Sequence, residues 1–470
     1  MNRWIAGSVI TPLHERLMRR PTMRMAAELE RTQWSEPQEL RVLQLRKLRA
    51  LLEHAWQNCP FYRRRMEQAA FRPADVESLE QLRALALLSR TDVAEHRDEM
   101  VWQRVPGGLI RSNTGGSTGQ PLVFYVDRRR QAAFKAARIR THRWFGVEPG
   151  DRELYLWGAP AELTRQDRLK ALRDRMSNEL LLDAFRMSPE RMDHYLEQIE
   201  AFGPACIFGY PSSLALLCRQ AASSGRHIRT PDLKVVFVTG ELLYDHQRRE
   251  IEDYFGVPAV NGYGSRDGGF VAHECPEGAM HTTDEYMIVE LLDEAGRPVQ
   301  PGCVGQIVIT DLEAYGMPLI RYRTGDLARR PEHDEGQWCC PCGRGLGTLE
   351  VTEGRQTDLL VMPDGTIKHA LSLIYVLRDV EAVGQFKIVQ QEDLSIDVSV
   401  VAASSAEGGT IGGHDRVRIL QGLAAHLGGQ VPCRVNQVST IDPDRSGKHR
   451  YVVSDASQPA DRPCAELRQV

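Results

Sequence analysis

The sequence predicts an α/β protein: a large N-terminal domain with doubly wound sheets and a β-rich subdomain, then a small α+β C-terminal domain. Three observations predict it. Short apolar runs closing on glycine alternate with helical stretches up to about residue 264. After 285 the texture becomes strands joined by Gly/Pro turns. From 354 a new strand–turn–strand signal opens a further unit. The chain has 470 residues, and at roughly 150 residues per domain that means two or three domains.

In chain order, a helical segment occupies about 1–70, with helical periodicity strongest from Glu36 to Ala70. Pro60 sets a boundary inside it, because the residue before proline is pushed out of the α region. "ELYLWG" (153–158), "ACIFGY" (205–210), "LKVVFVTG" (233–240) and "PAVNGYG" (258–264) each read as a buried strand. Between the last three lie the helical stretches "SSLALLCRQAASSG" and "YDHQRREIEDYFG", the spacing of a doubly wound layer. "EYMIVELLDEAGRPVQPGCVGQIVITDL" predicts antiparallel strands. The C-terminal unit spans 354–455, with a "PDG" turn, the strands "FKIVQ" and "SIDVSVVA" and the helix "HDRVRILQGLAAHLG". Residues 404–413 read as a flexible loop and 456–470 as a disordered tail, which leaves 1–353 as the large domain.

Composition excludes several classes. The net charge is −4, so bulk electrostatics does not call for nucleic acid. No apolar run reaches the ~20 residues of a membrane span, so no transmembrane segment is expected. "MNRWIAGSVITPLHERLMRR" is apolar and then basic, the reverse of a secretory signal. It either packs on its own domain or lies as an amphipathic helix on a membrane surface. Ten cysteines, mostly scattered singly, make no disulfide framework, which points to a reducing cytoplasm.

The chemistry-bearing segments begin with "TGGSTG": Thr114, Gly115, Gly116, Ser117, Thr118 and Gly119. Bare backbone N–H groups and hydroxyls can wrap phosphate. A Walker ending is absent, since Gln120–Pro121 stands there, and a plain surface turn is the alternative. "NGYGSRDGG" (261–269) offers Tyr263 to stack on a base, Gly264 and Ser265 beside it, and Asp267 to hold Mg²⁺ through oxygen. "RYRTGDLARR" (321–330) places Asp326 after a glycine, where a carboxylate can accept both ribose hydroxyls or merely cap a turn. "EGRQTD" (353–358) puts Arg355 at a domain boundary. "RSGKHRYVVS" (445–454) presents Lys448 on a loop tip, a mobile charge for a developing oxyanion or one more solvated lysine.

Occurring in this order, these segments resemble the adenylate-forming acyl-CoA synthetase superfamily, in its phenylacetate–CoA ligase-like group and the capsule- and polysaccharide-associated branch. "VTGELLYDHQRREIEDYFGVPAVNGYGSRDGG" and "MPLIRYRTGDLARR" carry the resemblance most specifically. It implies that a carboxylic acid attacks ATP to give acyl-adenylate and pyrophosphate, and that CoA then takes the acyl group as a thioester. It implies that the turn at 114–119 grips the β,γ-phosphates, and that Gly240 and Glu241 border the adenine near Tyr263. It gives Asp267 the Mg²⁺, Asp326 the ribose, and Arg355 a contact to ribose or phosphate near a hinge. Lys448 would enter the first-step site on a mobile C-terminal domain that swings between half-reactions. Asp267 stands where the superfamily usually has Glu, and Thr357 where a hinge Asp is common, with Asp358 following. An acceptor amine on a sugar or amino acid, or a carrier-protein thiol, would use the same adenylate. A non-catalytic nucleotide-binding scaffold is the reading of another class. A phosphotransferase fits poorly, because no Walker lysine is present.

Cys275, His281, Cys340 and Cys342, from "HECPEGAMH" and "CCPCGRG", make a Cys₃His set suited to tetrahedral Zn²⁺, with Cys339 and His273 as substitute ligands and four reduced side chains as the alternative. The resemblance implies a structural zinc. Trp157, Tyr210 and Pro211 are candidate walls for the acid, or plain core. A homodimer remains open.

Overall fold

The computed structural model describes residues 2–113, 122–157, 177–184, 187, 189–240, 242–332, 340–353, 359–363, 367–369, 371–378, 380, 382–403, 410–427, 429, 431–441 and 452–454. It opens with Arg3–Ile5, a π-turn Ala6–Ile10 and α1 (Thr11–Leu17). α2 (Thr22–Thr32), α3 (Pro37–Asn58) and α4 (Pro60–Gln68) follow. α3 and α4 meet at Cys59, which is extended (φ −122°, ψ 102°), as a residue before proline must be. α5 (Arg90–Met100) starts at a Ser89/Asp92 capping box. β1 (Leu109–Asn113) and β2 (Val123–Asp127) pair as a hairpin, Asn113 opposite Val123. The glycine-rich stretch joins them and lies outside the described residues. α6 (Arg128–Arg143) turns Ala132, Ala133, Ala136 and Ala137 toward Met25, Ala26 and Leu29 of α2, a small-residue face that permits close helix packing.

The central sheet contains β3 (Glu153–Trp157), β4 (Glu179–Asp183), β5 (Cys206–Gly209), β6 (Val235–Thr239), β7 (Ala259–Ser265), β8 (Gly269–Glu274) and β9 (Met280–Thr282). α7 (Pro189–Phe202), α8 (Pro211–Ser223) and α9 (Asp245–Phe255) connect its parallel strands. The spatial order is β4-β3-β5-β6-β7-β8-β9, parallel as far as β7 and antiparallel beyond it. Period-2 alternation is visible in β6. Val236 and Val238 enter one core with Leu156, Ile207 and Leu214, while Val235 and Phe237 enter another with Val147 and Val260. Both faces are therefore covered, as the apolar strand runs predict.

β10 (Met287–Leu292), β11 (Val304–Asp311), β12 (Tyr322–Arg329) and β13 (Glu350–Glu353) form the antiparallel sheet. Its Met287, Ile307, Ile309 and Tyr322 share a core with Leu48, Leu52 and Met66 of α3 and α4. The hairpin β14 (Leu359–Val361)/β15 (Ile367–His369), then α10 (Leu371–Arg378), β16 (Val383–Gln390), β17 (Ile396–Ala402), α11 (Gly413–Leu427), β18 (Cys433–Gln437) and β19 (Val452–Ser454) make the C-terminal part, with sheet order β18-β17-β16-β19. Its core runs from Leu360 to Val452 and includes no earlier residue among those described. Among the described residues no helix is long and apolar enough to cross a membrane. Cys303 is disulfide-bonded, a departure from the expectation of uniformly reduced cysteines.

Candidate active site at the carboxyl ends of the parallel strands

Ligands of open α/β sheets bind beyond the carboxyl ends of the strands, and the candidate residues collect there. Trp157 ends β3, Tyr210 precedes α8 as its N-cap, and their rings stack at 4.0 Å with 13° between planes. Pro211 opens α8 at a position where no amide hydrogen is needed. Gly240 follows β6 with φ +84°, and a Cβ there would stand 3.0 Å from the Tyr210 ring and 3.5 Å from Trp157. Only glycine allows the chain to turn this close to the stacked pair.

On the other side of β6 lies β7 and Tyr263. Its hydroxyl donates to Asp326 Oδ2 at 2.8 Å and stands 3.2 Å from Thr324 Oγ1. Thr324 Oγ1 in turn donates to the Ile307 carbonyl at 3.1 Å and accepts from the Asp326 N–H at 3.2 Å. Burial and the neighbouring Asp326 carboxylate push the Tyr263 phenol well up, so it acts as a donor. Gly325, at φ +86°, supplies the turn that brings Asp326 back to Tyr263.

Asp267 is only 6% exposed. Its Oδ1 accepts from Ser265 Oγ at 2.8 Å and its Oδ2 from Tyr322 Oη at 2.7 Å. Ser265 Oγ also accepts the Gly268 N–H at 2.7 Å, which closes the loop. The loop is anchored from below by Arg130 of α6, which is buried. Its Nε donates to Asp311 Oδ2 at 2.6 Å and its Nη2 donates to the Asp267 carbonyl. Burial raises the Asp311 carboxyl even though Arg130 pulls it the other way. Arg266 Nη1 approaches the Asn113 carbonyl at 3.5 Å, which links the loop to the strand entering the glycine-rich turn.

The cysteines and histidine converge away from this site. The ligand atoms of Cys275, His281, Cys340 and Cys342 all lie within 4.8 Å of one another. Cys275 Sγ and Cys340 Sγ are 3.7 Å apart, and Cys342 Sγ is 3.2 Å from His281 Nε2. Two thiolates on one tetrahedral zinc at about 2.3 Å stand roughly 3.7 Å apart, so the sulfur spacing suits that ion. His281 Nδ1 lies 3.1 Å from the Leu346 carbonyl, which can only accept. The hydrogen therefore sits on Nδ1, and Nε2 presents its lone pair to the cluster. Burial pushes the Cys340 thiol up to about 12 and lowers His281 to about 4. For Cys342 burial works upward, but the backbone N–H and side chain of Arg344 hold the thiol below its ordinary value. Arg344 itself is sandwiched between Trp34 at 4.9 Å and Trp144 at 4.4 Å.

The phenylacetate–coenzyme A ligase of Thermus thermophilus is 24% identical over 379 residues, 79% of this chain and 82% of that protein. That of Pseudomonas putida is 26% identical over 62% of the chain and 66% of the protein. Protein CapK of Staphylococcus aureus is 22% identical over 78% and 79%. The chain is thus similar, over most of its length, to the phenylacetate–CoA ligase-like group of adenylate-forming enzymes. No family model matches it. Among solved structures, 2-hydroxyisobutyryl-CoA ligase in its postadenylation state superposes with a TM-score of 0.62 at 22% identity, covering 90% of this chain and 91% of that one. The fold is thus that of this ligase group.

Of the residues expected from sequence, Tyr263, Gly264, Ser265, Asp267 and Asp326 meet on one side of Gly240, and Trp157, Tyr210 and Pro211 on the other. Thr114 to Gly119, Glu241, Arg355, Lys448 and Cys339 lie outside the described residues. His273 does not join the cysteine cluster. It stacks on Phe270 at 3.4 Å, with its Nδ1 buried and without a hydrogen bond in the structure. Arg130, Asp311 and Tyr322 are absent from the sequence reading. "RRRQ" reads as a charged helix start, and nothing in it separates the buried Arg130 from its two neighbours.

Proposed function

We propose that the protein, like the ligases it resembles, activates a carboxylic acid in two steps at the carboxyl ends of β5, β6 and β7. First, a carboxylate oxygen attacks the α-phosphorus of ATP. An O–P bond forms, the bond to the β-phosphate oxygen breaks, and acyl-adenylate and pyrophosphate result. Second, the thiolate of CoA attacks the acyl carbon. A C–S bond forms, the C–O bond to AMP breaks, and the thiol proton passes to solvent. The observation that carries this reading is the pairing of Tyr263 with Asp326 on one flank of Gly240 and the Trp157–Tyr210 stack on the other. The similarity to phenylacetate–coenzyme A ligases supports it, as do two fold neighbours solved with an acyl-AMP, one of them with CoA as well.

Each residue has a physical part. Asp326, oriented by Tyr263, accepts the ribose hydroxyls. Gly240, with Glu241, leaves an open edge for the adenine. The aromatic wall of Trp157 and Tyr210, with Pro211, suits a small flat or branched acid, an aryl acid first. The turn Thr114–Gly119 wraps the departing pyrophosphate. Arg355 contacts ribose or phosphate, and Lys448 neutralises charge as two anions approach. Asp267 remains the candidate Mg²⁺ ligand. Its two oxygens already accept hydroxyls, so the ion would use a second lone pair and take its other ligands from phosphate and water. Zn²⁺ held by Cys275, His281, Cys340 and Cys342 has four protein ligands and no open position, which makes it structural. Supply of ATP and CoA places the reaction in the cytoplasm.

The test is pyrophosphate release from ATP and Mg²⁺ across a panel of aryl, branched short-chain and amino acids. Release dependent on one acid, sustained by CoA, is expected. ATP binding without release for any acid would favour a nucleotide-binding scaffold.

A further inference from the structure

The segment Arg3–Leu17 has two faces of different character. Its inner face is fitted to the body. A Cβ on Gly7 would stand 1.8 Å from the Pro149 carbonyl oxygen, and one on Gly150 would stand 2.3 Å from the Gly7 nitrogen. Arg3 pairs with Asp151, and Glu15, buried, bonds Arg20, Lys135 and Thr22. The helix is therefore locked in one rotation. Its outer face carries Trp4 (68% exposed), Ile5, Val9, Leu13 and Leu17 (73% exposed). These are five of the nine large apolar side chains exposed among the described residues, so they form a patch rather than a scatter. From Ile5 onward they recur every fourth residue. The π-turn Ala6–Ile10 rotates less per residue than an α-turn, which offsets the drift of a four-residue repeat and keeps the stripe on one side.

The exposed charges along residues 2–27 have one sign. Between residues 2 and 27 the charged side chains are Arg3, Arg16, Arg19, Arg20, Arg24 and a single acid, Glu15, which is turned inward; Arg3 and Arg20 are paired with Asp151 and Glu15, so Arg16, Arg19 and Arg24 are the exposed arginines of the rim. The chain as a whole has a net charge of −4, so this basic rim is local. A second copy meeting the stripe across a twofold axis would set these arginines against themselves. An anionic lipid surface complements both parts at once: headgroups for the arginines, acyl boundary for the stripe, and the interface for the Trp4 indole. We propose that the outer face of Arg3–Leu17 is a docking surface for an anionic bilayer, on which the enzyme lies without crossing it.

Co-sedimentation with vesicles tests this. The full chain should pellet with phosphatidylcholine vesicles containing roughly one third phosphatidylglycerol. It should stay in solution with pure phosphatidylcholine and be released by high salt. The triple variant Trp4→Ser, Leu13→Ser, Leu17→Ser and the double variant Arg16→Glu, Arg19→Glu should each bind anionic vesicles at least about ten-fold more weakly. Unchanged circular dichroism and melting would show both variants folded. No pelleting of the full chain with anionic vesicles, or binding by both variants as strong as that of the unaltered chain, would overturn the proposal. So would self-association in analytical ultracentrifugation that the triple variant abolishes while vesicle binding is absent; the stripe would then be a contact between copies.

Discussion

Tyr263 bears most directly on the nucleotide reading, because its hydroxyl fixes the carboxylate that would hold the ribose. Tyr263→Phe removes one hydrogen bond to a charged acceptor, worth about 1.5 kcal/mol, and should raise the KM for ATP roughly ten-fold with little change in melting. An unchanged KM would place the ribose elsewhere. Arg130 makes a different prediction. Arg130→Met leaves Asp311 buried and uncompensated, and should cost about 3–5 kcal/mol in denaturant unfolding. Adding Asp311→Leu should recover much of that loss. Sequence made the two residues unequal: Tyr263 sits in a motif whose neighbours have a shared purpose, whereas the role of Arg130 depends on Asp311, 181 positions away.

At the scale of elements, the doubly wound layer was legible because β5 and β6 read as short unbroken apolar runs closing on glycine, and β7 opens on the buried Ala259 and Val260. β4 was missed: "ELLLD" has one buried side chain of five and no closing glycine. The Cys/His cluster was legible from residue type alone, since few other chemistries gather Cys275, His281, Cys340 and Cys342. What spacing did not show was the His281 tautomer, which the Leu346 carbonyl sets. Cys340→Ser with Cys342→Ser should lower zinc content, read by elemental analysis, and melting temperature together. Wild-type protein without zinc would remove the metal while leaving the fold intact.

For the whole molecule, the proposed reaction has the C-terminal part serve the first half-reaction through Lys448. Its hydrophobic core draws on no earlier described residue, a construction that suits a unit able to move as a body. Lys448→Ala should reduce acid-dependent pyrophosphate release by at least about a hundred-fold, while thioester formation from supplied acyl-adenylate stays within a few-fold. Equal loss of both steps would argue against a lysine used in one conformation only. The membrane-facing stripe belongs to this scale too. Its apolar-then-basic composition was visible in sequence, but which face turned outward depended on Gly7 meeting Pro149.

The proposed reaction turns on attack of a carboxylate oxygen at the α-phosphorus of ATP. The most direct measurement uses the acid selected by the panel, labelled with ¹⁸O in its carboxyl group, and mass analysis of the AMP formed during CoA-dependent turnover. One labelled oxygen in AMP is expected for each thioester made. Label found in inorganic phosphate or pyrophosphate, with unlabelled AMP, would contradict it.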